Sequence, residues 1–91
     1  MQYVYGQVFN NATFSGAGIA SISNNQVGFY DISFENYFST PYGVTASPWG
    51  SGMLVAVNIF AENMVQVQVT DLQGNPVNEG FSFIALGEAL S

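Results

Sequence analysis

Between Met64 and Thr70 the chain alternates Val65, Val67 and Val69 with Gln66, Gln68 and Thr70. A repeat of two residues lets a pleated strand bury one face and wet the other; a helix would scatter the same valines around its circumference. The period returns twice more. Tyr30, Ile32 and Phe34 alternate with Phe29, Asp31 and Ser33, and Phe81, Phe83 and Ala85 alternate with Ser82, Ile84 and Leu86. β-Branched and aromatic side chains suit such half-buried pleats. No stretch carries the three-and-four spacing of a long amphipathic helix.

Turn-forming residues divide the chain into about seven short strands. The first is expected over Gln2 to Phe9, with Tyr3, Tyr5, Gln7 and Phe9 on one side, and Asn10-Asn11-Ala12-Thr13 turns it. A second lies within Phe14 to Ile22, weakened by Gly16 and Gly18, and ends at a Ser23-Asn24-Asn25 hairpin turn. Asparagine tolerates positive φ, which such turns demand. The third runs from Gln26 to Phe34. After a loop around Glu35 to Ser39, a short strand opened by Pro41 reaches Ala46, and Ser47-Pro48-Trp49-Gly50-Ser51-Gly52 forms a loop tip. Met53 to Phe60 is apolar at almost every position, which predicts a central strand buried on both faces. Glu62-Asn63 turns into Met64 to Thr70, Asp71 to Pro76 turns again, Phe81 to Leu86 is the last strand, and Gly87 to Ser91 is a short tail. Many short strands with a turn every eight to twelve residues predict one all-β domain over residues 1–91, an antiparallel β-sandwich of jelly-roll-like or H-type-lectin-like kind.

Charge excludes most functions. The 91 residues contain no Lys, Arg, His or Cys, and six carboxylates give a net charge of −6. Those six are Asp31, Glu35, Glu62, Asp71, Glu79 and Glu88. Phosphate backbones and anionic lipids are held by Lys and Arg, so no nucleic acid and no charged membrane surface is an expected partner. Nothing approaches the run of about 20 apolar residues that a membrane helix needs. Met1-Gln2-Tyr3-Val4-Tyr5 has neither the basic nor the apolar region of a signal peptide. Charged residues are 7% of the chain while 48% are hydrophobic, so polarity rests on amides and hydroxyls. A surface so poor in charge guards weakly against association, and a small domain without disulfides gains stability from oligomerising.

The order of features then becomes informative. Gly28-Phe29-Tyr30-Asp31-Ile32-Ser33-Phe34 is followed by Tyr37-Phe38-Ser39-Thr40-Pro41, by Val65-Gln66-Val67-Gln68-Val69 and a glycine-containing turn, and by Gly80-Phe81-Ser82-Phe83-Ile84-Ala85-Leu86-Gly87. From about Gly16 to Gly87 this resembles the small C-terminal β domains of phage tail fibres and bacterial surface proteins, and more loosely the H-type lectin sandwich. The resemblance implies a trimer around a shared axis, serving as a fibre tip or head and in some cases touching host glycans. A start at Met1 without a stalk points instead to a free-standing subunit such as a capsid decoration protein.

Catalysis is constrained by what is missing. Without His, Cys, Lys or Arg there is no Ser-His or Cys-His pair and no cationic oxyanion clamp, and zinc sites built on His or Cys cannot form. Paired carboxylates can run glycoside hydrolysis, and Asp31 with Glu35, or Glu62 with Asp71 flanking one hairpin, are the pairs to weigh. No cleft motif accompanies them, so no catalytic residue and no enzyme activity are expected. Calcium is the one metal to weigh, since carboxylate and carbonyl oxygens suffice for it, yet Asp71-Leu72-Gln73-Gly74-Asn75 has the chemistry of a turn. No cofactor is therefore expected, with Ca2+ as the weaker alternative.

Contact chemistry remains. Trp49, between Pro48 and Gly50 with Tyr42 nearby, is the first candidate for touching a partner or stacking on a sugar ring, and Tyr42 and Tyr37 accompany it. Against this stands the ordinary fate of large aromatics, which is burial in the core or against a sister subunit. The function expected is a non-enzymatic structural and interaction protein of a virion surface or extracellular structure, acting through homo-oligomeric assembly. The alternative is a lectin-like module for neutral glycans.

Overall fold

In the computed structural model, which describes residues 1–90, eight strands form two four-stranded antiparallel sheets that pack as a β-sandwich. The strands are β1 (Gln2–Val8), β2 (Phe14–Ala17), β3 (Ile19–Gln26), β4 (Phe29–Phe34), β5 (Gly43–Pro48), β6 (Met53–Ala61), β7 (Met64–Asp71) and β8 (Phe81–Gly87). One sheet, here sheet A, has the order β2-β1-β8-β5; the other, sheet B, has the order β3-β4-β7-β6.

The alternating residues face inward as their period requires. Tyr30, Ile32 and Phe34 of β4 meet Val65, Val67 and Val69 of β7 in the core. From sheet A the core receives Val4 and Val8 of β1 and Phe81, Phe83 and Ala85 of β8, with Val4 opposite Ala85 and Val8 opposite Phe81. Gly6 sits opposite Phe83 because a Cβ there would lie 2.6 Å from Ile19 Cδ1 of the other sheet. Tyr30 packs edge-on against Phe81 at 5.2 Å, tying the sheets at one end. Phe34, Phe38, Tyr42 and Phe83 tie them at the other, with Phe34 at 5.7 Å from Phe38 and 6.5 Å from Phe83. Among the described residues no buried side-chain N or O atom lacks a hydrogen-bond partner.

Four expectations are corrected. The Phe14–Ile22 segment is two strands in different sheets, separated at Gly18, whose φ of +84° breaks the ladder. Ser23-Asn24-Asn25 is strand, because Asn24 Nδ2 donates to the carbonyls of Gln26 and Phe29 at 2.9 and 2.8 Å and holds the chain beside β4. The turn falls on Val27-Gly28, where Gly28 has a φ of +82°. β6 is not central: it pairs with β7 alone and forms an edge of sheet B. An apolar run shows that neither face repels a core, but says nothing of how many strands flank it. Finally, Gly87 ends β8 and Ala89 bridges back to Phe38, while Ser91 of the expected tail lies outside the described residues.

Candidate functional site

The strand directions define two ends. One end gathers the β1–β2 turn, the Trp49–Gly52 connection and the long loop between β7 and β8; the other gathers Met1, the Glu35–Tyr42 loop, the Glu62-Asn63 turn and Leu90. Glu35, Glu62 and Glu88 lie at this second end, where the Met1 amine stands 3.9 Å from Glu88. Asp71 and Glu79 lie at the first, and Asp31 alone sits on a sheet face, accepting a hydrogen bond from Gln66 Nε2 at 3.0 Å.

Trp49 follows the last residue of β5 and is turned back on its own chain. Its backbone N–H donates to the Gly80 carbonyl at 3.2 Å and its indole N–H donates to Ser82 Oγ at 2.7 Å. The ring lies over Gly80, where a Cβ would come within 2.3 Å of Trp49 Cε3, so only glycine leaves room for it. Phe9 meets the indole edge-on at 5.3 Å. Even so, Trp49 keeps 46% and Phe9 44% of their surface exposed. The pair is a held, half-open aromatic surface, and Phe9, expected as the last residue of the first strand, lies just beyond the end of β1.

Tyr42 is corrected from contact candidate to core residue. It is 8% exposed, stacks on Phe38 at 4.5 Å and 10°, and donates its phenol to the Ala61 carbonyl at 2.6 Å. Burial pushes its pKa above 10.0. Its nearness to Trp49 in sequence misleads because β5 runs between them, and six residues of strand span roughly 20 Å. Tyr37 is exposed at the Met1 end, where its carbonyl accepts from Gln2 Nε2 at 3.3 Å and from the Leu90 N–H at 3.1 Å. Trp49, Tyr42 and Tyr37 therefore do not form one site.

A larger surface emerges from the register of sheet A. Across its outer face Tyr3 pairs with Leu86 and Leu86 with Gly43; Ala17, Tyr5, Ile84 and Thr45 form the next row; Ser15, Gln7, Ser82 and Ser47 form the third. The face grades from apolar to hydroxyl and amide, and no carboxylate interrupts it. Tyr3 and Tyr5 are more than half exposed, and beside Tyr5 a shallow depression of about 320 Å³ is bordered by Gln7, Ser15 and Ser82. The alternation of Tyr3 and Tyr5 with Val4 was the sequence signal for this face, but which side met water depended on the second sheet.

Neither carboxylate pair forms a site. Glu62 and Asp71 stand at opposite ends of β7, and Asp31 lies within β4 whereas Glu35 has passed its end. Asp71 closes its turn: Oδ1 accepts the Gln73 and Asn75 N–H groups at 2.9 and 3.0 Å and Oδ2 accepts Asn75 Nδ2 at 3.3 Å. The backbone bond from Asn75 leads the contacts that hold this carboxyl below its usual 3.8. Among the described residues no three acidic groups gather as metal ligands do. No family model, curated protein or solved structure matches this chain.

Proposed function

We propose that the chain is a non-enzymatic structural and interaction subunit of a surface assembly, a fibre or spike tip or a capsid decoration on a phage-like virion, acting through homo-oligomeric association. The observation that carries this reading is the placing of charge. Five of the six carboxylates stand at the two ends of the sandwich, which leaves the outer face of sheet A and the β6 edge uncharged. Burying such flanks desolvates hydroxyls and amides rather than ions, a far smaller cost, while apolar area returns about 25 cal/mol per Å². Tyr3, Tyr5, Ile84 and Leu86 supply an aromatic and aliphatic contact face for other subunits of the structure. Met1 and Glu88 share one end, so attachment there leaves Phe9 and Trp49 facing outward. Light scattering across a dilution series tests the reading: a multiple of the chain mass is expected, and a folded monomer at the highest concentration refutes it.

The half-open Phe9–Trp49 pair favours a second reading, a neutral-glycan module that uses aromatic stacking beside amide and hydroxyl groups. Binding on a broad glycan array that Trp49→Ala abolishes supports it. An array without binding rejects it.

A further inference from the structure

Each sheet has two edges, and three of the four are blunted. β2 is four residues long and contains Gly16, β3 shifts register twice against β4, and β5 is a six-residue strand that ends in Pro48. These are devices that keep an edge from recruiting another strand. β6 is different. It runs nine residues, Met53-Leu54-Val55-Ala56-Val57-Asn58-Ile59-Phe60-Ala61, without a charge or a proline, and its single irregularity lies between Ile59 and Ala61. Leu54, Ile59 and Phe60 are each about half exposed, at 54%, 47% and 56%. No Lys or Arg exists in the chain to act as a gatekeeper.

We infer that β6 pairs antiparallel with β6 of a second copy, joining two B sheets into one continuous eight-stranded sheet across a two-fold axis at Val57. This rests on the association reading and names the surface that would carry it. The strand is self-complementary about that axis. Val57 faces itself, Val55 faces Ile59, and Leu54 faces Phe60. Ala56 faces Asn58, and Met53 faces Ala61. The most exposed apolar side chains thereby cover one another. Glu62 of one copy falls opposite Gly52 of the other, so no carboxylate opposes a carboxylate directly across the pair. With the Ala61 carbonyl already accepting the Tyr42 phenol, the remaining opposed residues supply roughly eight backbone hydrogen bonds, close to the ten of a standard interface. An isologous pair of this kind closes at two copies.

The absence of cysteine makes the register directly measurable. Opposed residues of an antiparallel pair are about 5 Å apart at Cα, within disulfide reach, whereas a residue displaced by two positions is not. Val57→Cys should oxidise to a covalent dimer, and Ala56→Cys, though more exposed, should not. Independently, Leu54→Lys with Phe60→Lys should raise the concentration for half-dissociation at least about tenfold with the circular dichroism spectrum of the folded chain unchanged, since both residues are exposed. A dimer that ignores the lysines, or cross-linking faster at position 56 than at 57, overturns the inference. So does a trimer in which Val57→Cys fails to cross-link, and that result leaves the association reading intact. A monomer at every concentration overturns both.

Discussion

Replacing Tyr42 in two steps separates its hydrogen bond from its ring. Tyr42→Phe keeps the stack on Phe38 and removes the donor to the Ala61 carbonyl, a bond of 2.6 Å that joins the β5 end of sheet A to the β6 edge of sheet B. Ala61 is exposed, so water can replace the lost partner, and the cost should be about 1 kcal/mol. Tyr42→Ala also removes a ring that is 8% exposed and lies at 4.5 Å from Phe38 and 6.4 Å from Phe34. Large-to-small changes of this kind cost about 3–5 kcal/mol. Against a total stability of about 5–15 kcal/mol for a small domain, that is a severe loss. Urea unfolding followed by circular dichroism reads both steps as shifts in midpoint at constant slope. Tyr37→Ala, at an exposed position, is the control and should move stability by less than about 0.5 kcal/mol. If Tyr42→Ala proves no more damaging than Tyr37→Ala, Tyr42 is not a core residue and the packing of that end is wrong.

Gly80→Ala drives a methyl into the Trp49 ring, so the emission of this single tryptophan should shift to the red with a loss of about 1–3 kcal/mol; unchanged emission would mean that the ring is not seated there. Burial, with Glu79 adding to it at Tyr30, raises the phenol pKa values of Tyr30 and Tyr42 above 10.0. Groups raised on folding contribute stability that is full below pH 10 and is lost as pH climbs through the folded value, so alkaline unfolding should coincide with phenolate absorbance. Tyr30→Phe combined with Tyr42→Phe should push that transition to higher pH, and an unmoved transition contradicts the assignment. Asp71 has the opposite sign: its lowered pKa contributes above the ordinary 3.8 and is lost as pH falls through the folded value. The Gln73 and Asn75 amide resonances should therefore titrate with a midpoint below 3.8, and a midpoint at or above it removes the turn bonds from solution.

Alternation was enough to place three strands and to group the residues that share a face, Tyr30, Ile32 and Phe34; Val65, Val67 and Val69; Phe81, Phe83 and Ala85, all of which the fold buries. It was enough because a period of two is a local property, and one face of a half-wet strand must be apolar wherever the strand lies. The turn at Asn10–Thr13 was legible for the same reason, since Asn11 Oδ1 accepts from the Thr13 N–H at 3.2 Å and its hydroxyl at 2.7 Å, two residues away. What stayed hidden depends on partners far along the chain. Met53 to Phe60 reads as a central strand until β7 is found to be its one ladder partner, with β5 of the other sheet packed beside it rather than hydrogen-bonded to it. Tyr42 reads as a neighbour of Trp49 until Phe38 and Ala61 take it into the core. The face of Tyr3, Tyr5, Ile84 and Leu86 exists only because β1 and β8, at opposite ends of the sequence, lie side by side. Local chemistry decides which residues prefer burial; strand order, which local chemistry does not encode, decides which of them are left in water.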